Sequence, residues 1–208
     1  MRTIIKSTPP DCLAKQKRSL DWYSFMESVC HVRLKRALRD EQHHLCCYCE
    51  LEIDDTDCHV EHFEPQARSP KRRFDYANLG ASCDGGQLEH CGRFKDDRHH
   101  NPGYAYDPAR FAPPHAPTTT ALFSYLLSGS IIPSQVDPAV ARYMIGYLGL
   151  DCPRLRQRRE AHAQNLIDTL GPQPDESLLT WAQAYYLGPN AQGELRQFYS
   201  LSRSILAP

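Results

Sequence analysis

Long hydrophobic runs are missing from this chain. The nearest to one covers residues 143–150, far short of the roughly 20 residues a bilayer-spanning helix needs, so no membrane association is expected. Charge of one sign is also missing: 24 Lys and Arg face 25 Asp and Glu, for a formal net charge of −1. A basic coat is excluded, and any nucleic-acid binding must use local patches. The opening residues, Met1-Arg2-Thr3-Ile4-Ile5-Lys6, have neither an apolar segment nor a small-residue cleavage site. An export leader is therefore not expected and a cytoplasmic location is. An even set of cysteines is lacking as well. Nine of them without a leader argue against a disulfide scaffold and for metal binding. What remains is ordinary for a folded protein: 208 residues, 41% apolar and 24% charged.

The cysteines and the ten histidines are the informative excess. Cys46, Cys47, Cys49, Cys58, Cys83 and Cys91 cluster, whereas Cys12, Cys30 and Cys152 lie apart and read as small buried apolar residues. Cys46-x2-Cys49 is a knuckle whose thiolates can take adjacent corners of a tetrahedron, and Cys83-x7-Cys91 can supply the other two. Cys47 and Cys58 compete as ligands, but the two-residue gap favours Cys46 and Cys49. A structural Zn2+ is expected here. Four thiolates leave no open position on it, so any catalysis must come from residues between the knuckles.

Between them lies His59-Val60-Glu61-His62-Phe63-Glu64-Pro65. In a strand, His59 and Glu61 share one face and His62 takes the other. Leu51 and Ile53 are expected to pair with this strand as a hairpin about the turn at residues 54–57. Residues 50–64 hold seven acids and no Lys or Arg; Arg68, Lys71, Arg72 and Arg73 follow, placed to meet a phosphate backbone.

Elsewhere the pattern is mostly helical. One helix is expected over residues 19–44, capped by Ser19. It would bury Leu20, Phe25, Val29, Val32, Leu34 and Leu38 and carry Arg33, Lys35, Arg36 and Arg39 on its far side. A short helix is expected over 91–98, and two strands around Gly129. Further helices are expected over 137–147, with Asp137 as cap, and over 153–170, 175–187 and 191–205.

Cys46-x2-Cys49, Val60-Glu61-His62-Phe63-x-Pro65, Asn78-Leu79-x3-Cys83 and Cys91-x3-Lys95 together resemble the HNH endonuclease pattern. More narrowly, the chain resembles the PtuB-type HNH effectors of Septu anti-phage systems, found also beside some retrons. That likeness rests on Met1-Arg2-x-Ile4-x-Lys6, Tyr48-Cys49-Glu50, the 59–63 strand, Ser82-Cys83 with Cys91-Gly92, and Tyr106-Asp107-Pro108. The resemblance implies a ββα-metal finger stapled by zinc and gripping a separate Mg2+ or Mn2+. In it, His62 is the general base and Glu61 a ligand of the cation. Asn78 orients the histidine and its loop, and Lys95 contacts phosphate. One departure stands out: many HNH proteins carry a ligating Asn just after the last cysteine, where this chain has Gly92. Asp96, one helical turn on, is the candidate replacement. His59 is a second candidate because it lies on the Glu61 side, and Asp97, His90, His99 and His100 are rivals.

The expectation is thus an α+β chain in three parts. Residues 1–110 form an N-terminal helix plus the zinc-knuckle HNH core, 111–136 a loop-rich connection, and 137–208 a C-terminal helical region. The function implied is metal-dependent DNA cleavage in phage defence, with DNA and a PtuA-type SMC/ABC-like ATPase as partners. The helical region, with Arg154, Arg156, Arg158 and Arg159 spread around one helix, would mediate assembly together with the N-terminal helix. Trp181, Tyr185, Tyr186, Phe198 and Tyr199 would mostly fill its core. The alternatives are a zinc-stapled nucleic-acid-binding or adaptor module without catalysis, and an HNH nuclease acting on RNA.

Overall fold

In the computed structural model, which describes residues 1–16, 21–97 and 99–207, the first long helical pattern is cut in two. A short α1 (Asp11–Ala14) precedes α2 (Trp22–Met26) and α3 (Val29–Glu41). Ser28 sits between the last two in an extended conformation, and its side chain accepts a hydrogen bond from the His31 N–H. That cap starts a new helix with a new phase. Leu34 and Leu38 are fully buried, but Val29 and Val32 face solvent at 70% and 58% exposure instead of joining the core. The expected cap Ser19, with Leu20, and the expected helix end Arg98 lie outside the described residues. The basic far side of α3 is partly used internally: Arg39 pairs with Asp55 at 2.6 Å and Lys35 donates to the Asp55 carbonyl.

The hairpin forms with a different partner. β1 (Cys58–His62) pairs antiparallel with β2 (Leu79–Cys83), setting Cys58 opposite Cys83 and Glu61 opposite Gly80. Leu51 and Ile53 do not pair with β1, because their backbone groups close the knuckle. Cys46 N–H donates to the Leu51 carbonyl at 2.8 Å, and Ile53 N–H to the His44 carbonyl at 2.9 Å. A distorted turn, α4 (Gly85–Leu88), then leads into α5 (Cys91–Asp96).

A second two-stranded sheet, β3 (Phe123–Tyr125) with β4 (Ile131–Pro133), turns at Gly129 as expected. Gly129 has φ +77°, and a Cβ there would lie 2.0 Å from the Arg156 carbonyl oxygen. The helices α6 (Pro138–Tyr147), α7 (Pro153–Leu170) and α8 (Glu176–Leu187) follow the expected spans. Asp137 and Asp175 cap the first and third by accepting from the Val140 and Leu178 N–H groups. The last helix is shorter than its pattern suggested: α9 is Tyr199–Leu206. Residues before it spend their backbone donors on the finger instead, Leu195 N–H on the His43 carbonyl and Phe198 N–H on the Glu50 carbonyl.

One buried cluster joins all three sequence regions. It contains Phe25, Leu34, Tyr48 and Leu79, then Leu122, Phe123 and Ile131, then Met144, Tyr147, Phe198 and Leu201. A smaller cluster of Leu166, Ala182 and Leu206 locks α7, α8 and α9. The mixture of helices with small sheets is what the alternating patterns implied. Two details differ. Cys12 and Cys30 are joined as a disulfide that ties α1 to α3, rather than standing as separate thiols. Arg159 is buried, unlike its neighbours Arg154, Arg156 and Arg158, and donates to the Gly129 and Leu150 carbonyls. Among the described residues no helix is long and apolar enough to cross a membrane.

Candidate functional site

The knuckle turn, the end of β2 and the start of α5 bring four sulfurs together. Cys46, Cys49, Cys83 and Cys91 are all buried, with ligand atoms within 4.8 Å of one another. The Cys46–Cys91 and Cys49–Cys83 sulfurs are 3.8 and 3.7 Å apart. A tetrahedron with Zn–S bonds of about 2.3 Å has edges of about 3.8 Å, so the cluster has the dimensions to hold a metal such as zinc. Cys47 and Cys58, the rival ligands, are buried outside it. Burial pushes the Cys49 and Cys91 thiols well up. Cys46 goes the other way: although burial opposes its ionisation, hydrogen bonds from Cys47, Cys49, Cys83 and Cys91 converge on it. Sulfurs competing for one charge are what a bound cation would satisfy together. His90 Nδ1 lies 3.1 Å from the Cys91 sulfur, against the cluster rather than on a separate site.

β1 and α5, with α2 beside them, build a cleft of about 850 Å³ whose lining includes His59, Glu61, His62, Arg93 and Asp96 as well as apolar residues of α2. Glu61 is 2% exposed, which an ionised carboxylate tolerates only with partners. It has them: Oε1 accepts from the Tyr48 hydroxyl at 2.9 Å and faces Lys95 Nζ at 3.1 Å. Burial opposes the Glu61 charge, but Lys95, His59 and Tyr48 hold its carboxyl well below the ordinary range. Lys95, expected at a phosphate, has no exposed side-chain surface. It is spent on Glu61, on Asp96 at 2.7 Å and on the His62 carbonyl at 3.2 Å.

His62 points away from Glu61 onto Trp22, ring centroids 4.4 Å apart, yet both border the same cleft. Burial pushes it down to about 4, so the imidazole is neutral at neutral pH. Its Nε2 lies 3.0 Å from the Arg73 carbonyl. A carbonyl only accepts, so Nε2 carries the hydrogen and Nδ1 keeps the lone pair. Nδ1 meets the Gln66 amide at 3.5 Å. Asn78, 1% exposed, pins the chain just beyond His62: Oδ1 accepts from the Glu64 N–H and Nδ2 donates to the Glu64 carbonyl.

The basic run divides. Arg72 is engaged by Glu64 and Asp75 at 2.8 and 2.9 Å, and Arg73 Nε donates to Gln66. Lys71 is exposed. Arg68 borders a second cleft of about 410 Å³ that shares His62, Gln66 and Asp96 with the first. Asp96 stands open at the mouth, its carboxyl pushed up by partial desolvation and by the Glu61 charge. It does not join His59 and Glu61 in a common ligand group; among the described residues, such a group of three or more is formed by the four cysteines. Of the rivals, Asp97 caps the turn at His99 and His100, and His99 lines the larger cleft.

Several residues in and behind the cleft carried no legible signal. Trp22 reads as one more apolar position of a helix, and Gln66, Asp84 and Arg93 as ordinary loop or helix polars. Tyr48 alone stood inside a quoted motif. No protein-family model matches this chain, and no curated protein matches it.

Proposed function

We propose that the chain is a metal-dependent HNH-type endonuclease that hydrolyses DNA phosphodiester bonds, serving as the nuclease of a Septu-type anti-phage complex. The observation that carries this reading is the His62 imidazole. It is neutral, with Nε2–H committed to the Arg73 carbonyl and Nδ1, met by the Gln66 amide at 3.5 Å, available to take a proton at the lip of a cleft shared with Glu61. In this reading His62 Nδ1 accepts the proton of the attacking water, whose oxygen bonds to phosphorus as the 3′ oxygen leaves. A Mg2+ or Mn2+ ion beside Glu61 supplies charge stabilisation for the phosphate and the leaving oxygen. Asn78 holds the loop that follows the base, and Arg68 meets the backbone from the second cleft. Zinc in the four-cysteine centre is structural.

The partner is a PtuA-type ATPase. Trp181 and Tyr185 support a docking face on α8: they stack at 5.1 Å while remaining 47% and 41% exposed, and Arg196 lies 3.6 Å over the Tyr185 ring. The test is cleavage of plasmid DNA with Mg2+ or Mn2+, alone and with the ATPase, against His62→Asn. The expected loss exceeds about 100-fold for a general base. Intact DNA under every condition, with binding retained, sinks the nuclease reading.

A second reading, a zinc-stapled nucleic-acid-binding or adaptor module, is favoured by one observation: Lys95 already neutralises Glu61. RNA offered in parallel distinguishes the third possibility, a ribonuclease of the same chemistry.

A further inference from the structure

The two oxygens of Glu61 have different company. Oε1 is taken by Tyr48 and Lys95, whereas Oε2 faces His59 Nε2 at 3.5 Å. Two donors each about 2.1 Å from one ion lie about 3.0 Å apart at a right angle and about 3.4 Å at the tetrahedral angle, so this span suits a shared cation. The other ring nitrogen, His59 Nδ1, lies 3.3 Å from Asp84 Oδ1, and Arg93 Nε donates to that same oxygen at 2.7 Å. With Nδ1–H donated to Asp84, one of the two tautomers open to a neutral ring, Nε2 turns its lone pair toward Glu61 Oε2. Two acceptors then face each other, and a cation reconciles them. A histidine on a metal commonly donates its second N–H to a carboxylate in this way.

Gly92 completes the argument. A Cβ at this position would lie 2.2 Å from Glu61 Oε2 and 2.8 Å from His59 Nε2. The position cannot carry a side chain while the two strand residues stand where they do. The space a ligand side chain at position 92 would need is already filled from β1, and Asp96 does not gather with His59 and Glu61 into a common ligand group.

We propose that His59, and no residue of α5, is the second protein ligand of the cation at Glu61, with Asp84 as the positioning residue that sets its tautomer. The inference rests on the divalent cation of the nuclease reading and narrows its class. Imidazole with carboxylate suits first-row transition ions, Mn2+ foremost among those named above, whereas Mg2+ favours oxygen donors and water.

The test is binding of Mn2+ to the zinc-loaded full chain, followed by electron paramagnetic resonance. One Mn2+ is expected to bind with spin-echo modulation from a directly coordinated nitrogen. His59→Gln is expected to abolish that modulation and weaken binding at least about tenfold. Asp84→Ala should keep the modulation while weakening binding about 10- to 100-fold. Zinc content and melting temperature check that each variant is folded, and the half-buried Asp84 gives a second reading should His59→Gln fail that check. Absence of nitrogen modulation in the wild type, or an affinity unmoved by both substitutions, overturns the proposal: it would mean an imidazolium bonded to both carboxylates. These results stand apart from cleavage. Mn2+ held through His59 by a protein that cuts nothing removes the nuclease reading alone, and cleavage with a His59-independent Mn2+ site removes this one alone.

Discussion

The sulfur centre and the acidic cleft share one hairpin and one helix and behave as opposites. β2 and α5 supply Cys83 and Cys91 to the first. β1 and α5 supply His59, Glu61, His62, Lys95 and Asp96 to the second. The sulfur centre is closed and buried on all four ligands. The cleft opens to solvent through Asp96 and Arg93 while its central charge, Glu61, is buried. A few residues of hairpin and helix thus carry both a clamp and a reactive surface. A metal in the clamp would satisfy all four of its ligands at once, whereas the surface leaves Glu61 Oε2 and His62 Nδ1 incompletely satisfied. Spent coordination stabilises; unspent coordination is available for chemistry.

The largest expected effect breaks the first half of that contrast. Cys83→Ser or Cys46→Ser removes a ligand of the centre, and loss of a structural zinc forfeits on the order of 10 kcal/mol of folding free energy. That exceeds most of a typical domain's stability, so unfolded or insoluble protein is expected. Metal analysis and circular dichroism check it; a soluble, cooperatively melting, metal-free variant would contradict the clamp. Next comes the buried pair of the cleft. Lys95→Ala strands a carboxylate that is 2% exposed, and breaking such a pair costs about 3–5 kcal/mol. Urea denaturation measures it, and a loss below about 1 kcal/mol, the worth of a surface pair, would mean the pair is not buried in solution.

Two effects of similar size follow. The Cys12–Cys30 bridge closes a loop with a sequence separation of 18, for which loop-closure entropy gives about 3 kcal/mol. Cys12→Ser should lower stability by that amount without changing zinc content, and a denaturation midpoint indifferent to the substitution would show the bridge to be absent. His62 supplies the pH dependence. Its native value of about 4 lies below the ordinary 6.5 because the ring is buried. The unfolded chain therefore binds a proton below pH 6.5 that the native state refuses. Its contribution to stability is whole above that pH and falls by about 3 kcal/mol on the way to pH 4. His62→Asn should remove that part of the acid slope; an unchanged slope would place the ring in solvent. The smallest effect concerns neither site. Trp181→Ala, on an exposed side chain, should alter stability by less than about 1 kcal/mol yet reduce co-purification with the ATPase. Undiminished complex formation would place the interface elsewhere.

Legibility in the sequence differed between the two sites. The cysteine spacing named all four members of the sulfur cluster, because a knuckle is a local turn and its ligands announce themselves by type. The alternation His59-Val60-Glu61-His62 likewise put His59 beside Glu61, since strand geometry has period two. The partner of that strand was misread: Leu51 and Ile53 alternate well enough, but the knuckle had already used their backbone hydrogen bonds. Val29 and Val32 were assigned to the core by a phase that Ser28 resets.

By itself, then, the sequence determined what is local: the knuckles, the caps at Asp137 and Asp175, the turn at Gly129, and the residue types available for chemistry. Tertiary structure alone decided how each was spent. Lys95 and Arg72 are cations by sequence but ion-pair partners of Glu61 and Glu64 by packing. Gly92 is a missing side chain by sequence and an occupied space by packing, filled by Glu61 and His59. Phe198 and Leu195 belong to a helical pattern, yet their backbone serves Glu50 and His43 some 150 residues earlier. The physical reason is common to all of these. A buried polar or charged group must find a partner, and which partner lies within reach is set by the packing of segments far apart in the chain.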